Sequence, residues 1–404
     1  MATATGIELR EQRRAQRRQQ IRRRRAIALA VLAVLAVAAV FGLVRLATGS
    51  GSAVSLTPVA NAAPTTTPFR TQLPQEIRGV HVSMDLASVP GKLDQYLALT
   101  HSGLNTLELD VKDETGQVGF AGDGIPALAV HDGAARPFYD PLAVARRAHR
   151  AGVYLIGRVV TFEDPITATA HPALAVHRSD GSLWHTNGGL AWLNPYSRAA
   201  WNYDVGVALA AAKAGFDEIQ FDYVRFPSDG DVSIIRYPGA HPQPMQQTIA
   251  AFLRYAAARL HPLGVRVSAD VFGLAATHDL GIGQYPAVLG TIVDSLYPMT
   301  YPSHYRPGEY NLPDPNAAPG ATVADSLADF RSALSGGRSL LVPWLQDFSL
   351  GRRYTAADVA AQVAAARSFH AGGFMLWNAA GRYTAQGLRA GGSLGLPGLP
   401  APSL

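Results

Sequence analysis

Phe216 to Pro227 reads FDEIQFDYVRFP, and within it Glu218, Gln220 and Asp222 alternate with Ile219, Phe221 and Tyr223. An alternation of period two puts polar groups on one face of a β-strand and apolar groups on the other. The pattern recurs in TLELDVKD, where Thr106, Glu108, Asp110 and Lys112 face away from Leu107, Leu109 and Val111. It recurs again in VRVSADVF, where Arg266, Ser268 and Asp270 oppose Val265, Val267 and Ala269. All three runs carry an Asp towards the end of the polar face. In a parallel (β/α)8 barrel the apolar face meets surrounding helices, the other face points inward, and the strands' C-terminal ends gather at one mouth. Such a barrel brings Asp110, Asp222 and Asp270 into one pocket.

Working outward, eight strand-like runs are visible, at 77–84, 104–111, 153–160, 217–223, 265–272, 293–299, 339–345 and 373–378. Helical stretches separate them, clearest at 140–151, 199–215, 245–262 and 355–371. Several close on glycine just before the next strand, as at Gly152, Gly215 and Gly373, the usual helix stop. Strict strand–helix alternation, eight times within about 300 residues, predicts a (β/α)8 TIM barrel over 76–380, with an open doubly wound sheet as the alternative. The connections after strands are long (112–139, 161–198, 224–244, 300–321), as expected where a barrel builds its cleft. The second holds Trp184, His185, Asn187, Trp192 and Asn194. Indoles beside polar side chains suit a sugar ring; equally, they suit a hairpin whose tryptophans cover the rim.

The net charge of +5 is uneven. Residues 1–25 carry nine Arg and two Glu, and Arg45 adds another positive charge, so the body is slightly acidic. It lacks the basic face that nucleic acid requires. Ala26 to Val44, AIALAVLAVLAVAAVFGLV, has no charge and is long enough to span a bilayer as a helix. The expected organisation is a basic cytoplasmic segment (1–25), a transmembrane helix or signal anchor (26–47), a Thr/Pro/Ala-rich linker (48–75), the barrel, and a flexible tail (381–404). Arginines before the span place the barrel on the extracytoplasmic side. A cleaved signal peptide is the competing reading, with Ala60-Asn61-Ala62 as its site, which makes the protein secreted. The chain has no cysteine, which removes disulfides and thiolate chemistry together.

Glycosidic-bond cleavage needs one protonated and one ionised carboxyl group. Asp222 and Asp270 end consecutive strands and are the candidate pair. Asp110 and Asp347, in WLQDF, widen the set. Asp110, Arg158, Arg225 and Asp347 are expected to orient the sugar and to hold the two carboxyls at different pKa values; some of these carboxylates could instead serve structural salt bridges with Arg158, Arg225 or Lys112. Tyr301 and His304 after strand six, His81 on strand one, and Trp377 with Asn378 ending strand eight complete an expected substrate-binding ring. Gly391-Gly392-Ser393-Leu394-Gly395 matches the nucleophile-elbow pattern in letters but lacks the flanking strand and helix. Phosphate-loop, dinucleotide and HExxH motifs are missing, and nothing in the spacing asks for a metal or other cofactor.

RGVHVSMDLAS, GLNTLELDVKDETGQVGF, RVVTFED, FDEIQFDYVRFPSDG, VSADVFG and YPMTYPSHY together resemble the glycoside-hydrolase-like family catalogued as domain of unknown function 4015, over most of 76–380. More distantly the chain is similar to the α-amylase superfamily, whose nucleophile Asp ends strand four and whose acid/base Glu ends strand five, with a further Asp after strand seven. The resemblance implies Asp222, Asp270 and Asp347 for these places. Two departures stand out: Asp270 is shorter than Glu, and Gln220 stands where amylases keep Arg. The strand-four run also resembles that of family 18 chitinases, but Val224 replaces their essential acid, which argues against substrate-assisted chemistry. The expectation is an anchored barrel that hydrolyses an extracytoplasmic polysaccharide or cell-wall glycan, the alternative a non-catalytic carbohydrate-binding barrel.

Overall fold

The computed structural model describes residues 70–241 and 243–389. The expected basic segment, membrane span, most of the linker and residues 390–404 lie outside them. Among the described residues no helix is long and apolar enough to cross a membrane.

Eight parallel strands form the barrel: β1 (Ile77–Val82), β2 (Thr106–Lys112), β3 (Tyr154–Val160), β4 (Glu218–Asp222), β5 (Arg266–Phe272), β6 (Ser295–Met299), β7 (Leu340–Leu341 and Trp344–Gln346) and β8 (Gly373–Trp377). They pair in sequence order, and the ring closes because β8 pairs with β1 from Ile77↔Gly373 to Val80↔Leu376. β7 is broken at Val342-Pro343; its second half pairs with β8 and meets β6 at Trp344↔Met299. The parallel barrel is thus present, and the open sheet is not.

Helices α1 (Lys92–Leu97), α2 (Pro141–Arg150), α3 (Arg198–Ala214), α4 (Met245–Leu260), α5 (Pro286–Leu289), α6 (Pro319–Ala333) and α7 (Ala356–Ser368) fill the connections. Their starts follow from local chemistry. The Asp140 side chain accepts from Ala143 N ahead of Pro141, Ser197 caps α3 in the same way, and Thr355 with Asp358 forms a reciprocal capping box on α7. α3 ends at Gly215, whose φ of 108° reverses the chain into β4.

Two apolar layers result. The outward faces of the strands pack on the helices, with Leu107, Leu109, Val159, Ile219, Phe221 and Val267 fully buried. Inside the barrel Ile77, Tyr154, Ile156, Tyr297, Trp344 and Met375 form a smaller cluster. Gly79 makes room there for Met375, whose Sδ would lie 2.1 Å from a Cβ at that position.

Lys112 departs from expectation. The period-two pattern keeps it on Asp110's inward face, but the register shifts between Asp110↔Arg158 and Lys112↔Val159. Such a bulge re-aims the side chains that follow it. Lys112 is fully buried, with its ammonium 2.8 Å from Asp164 and 2.7 Å from Asp204 of α3, and it donates to Thr161 O at 3.0 Å.

The insertions after β3 and β4 are joined by a short antiparallel ribbon, His177–Arg178 with Ile235–Arg236. Trp184 reinforces the join by donating to Asp231 O at 2.9 Å. Arg70 and Thr71, read from sequence as linker, dock at the N-terminal face: Arg70 donates to Ala212 O and Phe216 O, and Thr71 N donates to Asp217. Residues 381–389, read as tail, are folded: Tyr383 Oη donates to His81 O at 2.6 Å and Leu388 is buried.

Candidate active site

At the C-terminal ends of the strands lies a cavity of about 490 Å³, within the usual range for small-ligand sites. Its lining includes Arg158, Asp222, Arg225, Asp270, Tyr301, His304 and Trp377, all expected from sequence, Met299 and Tyr305 from the same expected run after strand six, and Tyr223, Phe272 and Trp344, which were not expected.

Asp222 and Asp270 stand abreast. The β4/β5 register runs from Glu218↔Arg266 to Phe221↔Ala269, and one further step aligns the two aspartates. Neighbouring strands lie about 4.8 Å apart, so side chains at the same level on the same face are close neighbours. Their surroundings differ. Asp222 Oδ2 accepts from both Arg158 Nε (3.0 Å) and Nη2 (2.8 Å), and its Oδ1 accepts from Tyr223 N at 2.7 Å. Tyr223 adopts a φ of 49°, a left-handed conformation that costs a side-chain-bearing residue about 1–2 kcal/mol. That turn aims its amide at Asp222 and its carbonyl at Arg225 N. Asp270 Oδ1 accepts from Gln220 Nε2 and Trp344 Nε1, both at 2.6 Å. Burial, reinforced by the charges of Asp222 and Glu108, pushes the Asp270 carboxyl well above the usual range.

Behind Asp222 a charge relay crosses the barrel. Arg158 Nη1 donates to Asp110 Oδ1 at 2.7 Å, and His81 sits between Asp110 (3.5 Å) and Glu108 (2.6 Å) while its ring lies 4.6 Å from that of Trp377. Burial opposes a charged imidazole, but Asp110 and Glu108 outweigh it and raise His81 to about 9. Burial alone would raise Asp110; His81 and Arg158 pull it down to about 2. Because the folded value of His81 lies above its unfolded one, the imidazolium stabilises fully below about pH 6.5 and loses its effect as pH rises through about 9. Unfolding free energy is therefore expected to fall across that window by up to about 3 kcal/mol, and His81→Gln should flatten the slope. A slope unchanged in the variant removes His81 as its source.

Six expected ligands of the substrate do not line the cavity: Asp110 and His81 stand in the relay behind Asp222, and Asp347, Asn378, Trp184 and Trp192 are engaged elsewhere. Asp347 accepts from Thr384 N (2.6 Å) and Oγ1 (2.7 Å), so its carboxylate anchors the folded segment after β8. Asn378 donates to Asp347 O and accepts from Ala380 N within the same turn. Trp184 and Trp192 are each 1 % exposed; Trp184 joins the two insertions, and Trp192 lies against Arg225 and Tyr223. Burial leaves neither indole face free to stack on a sugar, so the hairpin reading fits them. The indole at the cavity that keeps a partly open face is instead Trp377, whose ring stands at 86° to that of the buried Trp344, 5.9 Å away. Trp344 escaped notice because Pro343 interrupts the alternation of β7, although Trp344 and Gln346 still lie two apart.

Arg158 of β3 grips Asp222, and Gln220 bonds Asp270. Among the described residues, the one group with metal-like spacing is His131, Asp132 and His171. None of the three lines the cavity, and Asp132 already hydrogen-bonds both histidines.

A parallel eight-stranded barrel with two aspartates of unlike electrostatics at its mouth is the architecture of a glycosidase. Residues 79–383 match the family described as "Putative glycosyl hydrolase domain", and the chain belongs to that family of glycosyl hydrolases. Among solved structures, a hypothetical protein from Ruminiclostridium thermocellum ATCC 27405 is 32 % identical over 48 % of this chain and 97 % of its own, with a TM-score of 0.44. The glycoside hydrolase domain of PgaB (BpsB) from Bordetella bronchiseptica is 14 % identical over 75 % of this chain and 94 % of its own, with a TM-score of 0.53, a likeness of fold. A search of curated proteins finds no match.

Proposed function

We propose that the protein hydrolyses an extracytoplasmic polysaccharide or cell-wall glycan, with Asp222 as nucleophile and Asp270 as general acid. The observation that carries the reading is the opposite treatment of two adjacent carboxyls: Asp222 is ion-paired with Arg158 through two hydrogen bonds, while Asp270 is buried and bonded to the neutral donors Gln220 and Trp344, and burial pushes its carboxyl well above the usual range. That is how one fold obtains an acid and a base from the same residue type. With Asp222 as nucleophile the mechanism is a retaining one, through a covalent glycosyl-enzyme intermediate. An Asp222 oxygen then attacks the anomeric carbon while the Asp270 proton passes to the departing glycosidic oxygen. Asp270, now ionised, deprotonates the water that releases Asp222. Arg158, held by Asp110, orients the nucleophile, and Trp377 offers a ring face to the sugar.

The extracytoplasmic placement rests on the basic segment and uncharged run at 1–44. The test is release of reducing ends from bacterial exopolysaccharides and cell-wall glycans by the full-length chain. Release with retained anomeric configuration is expected; binding without release on every glycan sinks the enzymatic reading in favour of a surface-binding barrel.

Gln220 donates to Asp270, and a hydrogen bond donated to a carboxylate favours its charged form. Gln220→Met removes one donor to a charged acceptor, worth about 1.5–3 kcal/mol. The alkaline limb of the kcat/KM profile should therefore move up by about one pH unit or more. An unmoved limb assigns it to another group.

A further inference from the structure

The cavity holds two guanidinium groups, and only one is satisfied. Arg158 spends its Nε and Nη2 edge on Asp222 and its Nη1 on Asp110. Arg225, 7 % exposed and part of the same lining, uses Nη1 for Phe226 O (3.1 Å) and Ser228 Oγ (3.0 Å). Its Nε and Nη2 have no hydrogen-bond partner among the described residues, and none of their carboxylates forms a salt bridge with it. Aromatic rings crowd the guanidinium: the centroids of Trp192, Tyr223 and Phe272 lie 5.0, 5.0 and 4.8 Å from its Cζ.

Burying a cation without a counter-charge is costly, and the cost persists unless something repays it. Tyr223, Asp222, Glu163 and Asp229 contribute field at a distance, yet burial still pushes the Arg225 guanidinium below its usual value. Asp222 is committed to Arg158, and Asp229 accepts from Asn187. Burial raises Glu163 to about 7, against the pull of Arg225 itself, so that carboxyl is a weak counter-ion near neutrality. What remains on Arg225 is one edge with two parallel N–H donors, the edge Arg158 offers to a carboxylate. Such a fork matches a planar carboxylate in two bonds.

We propose that Arg225 pairs with a carboxylate of the substrate, which makes the substrate an acidic glycan containing uronic acid. The inference deepens the glycosidase reading and rests on it, because the carboxylate must belong to a sugar seated beside Asp222 and Asp270. The ring fixed by Arg225 lies next to the reacting centre, so its carboxylate contributes both binding and orientation.

The test uses the full-length chain in mild detergent and oligomers of galacturonate, glucuronate, mannuronate and guluronate, each beside its carboxyl-reduced form and a sulfated neutral glycan. With wild-type protein, kcat/KM on the preferred uronate should exceed that on its reduced form by about tenfold or more, a bidentate charged pair being worth at least about 1.4 kcal/mol. The ratio should approach one in Arg225→Gln, chiefly through KM, and recover partly in Arg225→Lys, which restores charge without the fork. Circular dichroism verifies that both variants fold. Calorimetric binding to Asp222→Asn reads the same preference without turnover. Turnover without preference for any uronate overturns the inference and leaves the hydrolase intact, as does a preference that survives in Arg225→Gln or one for the sulfated glycan. Uronate-selective binding without turnover on any glycan supports the Arg225 site and overturns the hydrolase.

Discussion

Asp222→Asn is expected to abolish glycan hydrolysis, lowering kcat by on the order of 10⁴-fold, while leaving glycan affinity within about threefold of wild type. The amide is nearly isosteric with the carboxylate, and its single oxygen can still accept from Arg158, while its NH2 faces Tyr223 N and gives up that one hydrogen bond. Arg158 keeps Asp110 as a counter-ion at 2.7 Å, which limits the folding cost of the lost charge. What disappears is the oxygen anion that attacks the anomeric carbon. Reducing-end release and calorimetric binding, made on the same preparation, separate the two effects. Residual turnover above about a tenth of wild type would remove Asp222 from the chemistry and turn attention to other acids near the mouth, Glu163 first. An activity loss matched by an equal loss of binding would point to a collapsed cavity instead.

The barrel was legible because its strands repeat one instruction. Glu108, Asp110, Gln220, Asp222, Ser268 and Asp270 fall on the inner face at the period of the pleat, and every apolar residue between them packs outward on a helix. Of what strand ends and the runs just after them led one to expect, Asp222, Asp270, Arg158 and Tyr301 arrived at the mouth, while Asp110 stands behind them on Arg158. Side chains on the long connections were not legible, since no periodicity governs a loop. Trp184 and Trp192 looked like sugar platforms by composition and proved to be the packing of the insertion. Asp347, placed by analogy with amylases, answers to a segment after β8 whose Thr384 carries no sequence signal. Lys112 was misjudged for a related reason: a single bulge reverses the face of every residue after it, and nothing in TLELDVKD announces one. Arg158 and Gln220 show the converse, since the separate residues of two strands together restore a guanidinium beside Asp222 that one strand's motif lacks.

Lys112→Met should cost about 3–5 kcal/mol of folding stability, the usual result of removing one partner from a buried ion pair. The ammonium is fully buried between Asp164 and Asp204, and its third contact is Thr161 O; the Tyr203 ring, 5.1 Å away, adds a cation–π contact. Methionine fills the volume but leaves two interior carboxylates without a cation, and Asp164 Oδ2 and Asp204 Oδ2 have no hydrogen bond to fall back on. Even beside Lys112, burial raises Asp204 to about 7, so protonation is the relief open to it once the lysine is gone. Urea unfolding of the variant should therefore recover part of the loss as pH is lowered from 7 towards 5. Adding Asp204→Leu should recover more, since it takes one stranded charge out of the interior. A loss under about 1 kcal/mol at pH 7 sinks the account, and so does a double variant no more stable than the single one. The consequence reaches the chemistry by a short path. The bulge that sends Lys112 outward comes directly after Asp110, which holds Arg158, which holds Asp222. A relaxed bulge should therefore lower kcat even at temperatures where Lys112→Met stays folded.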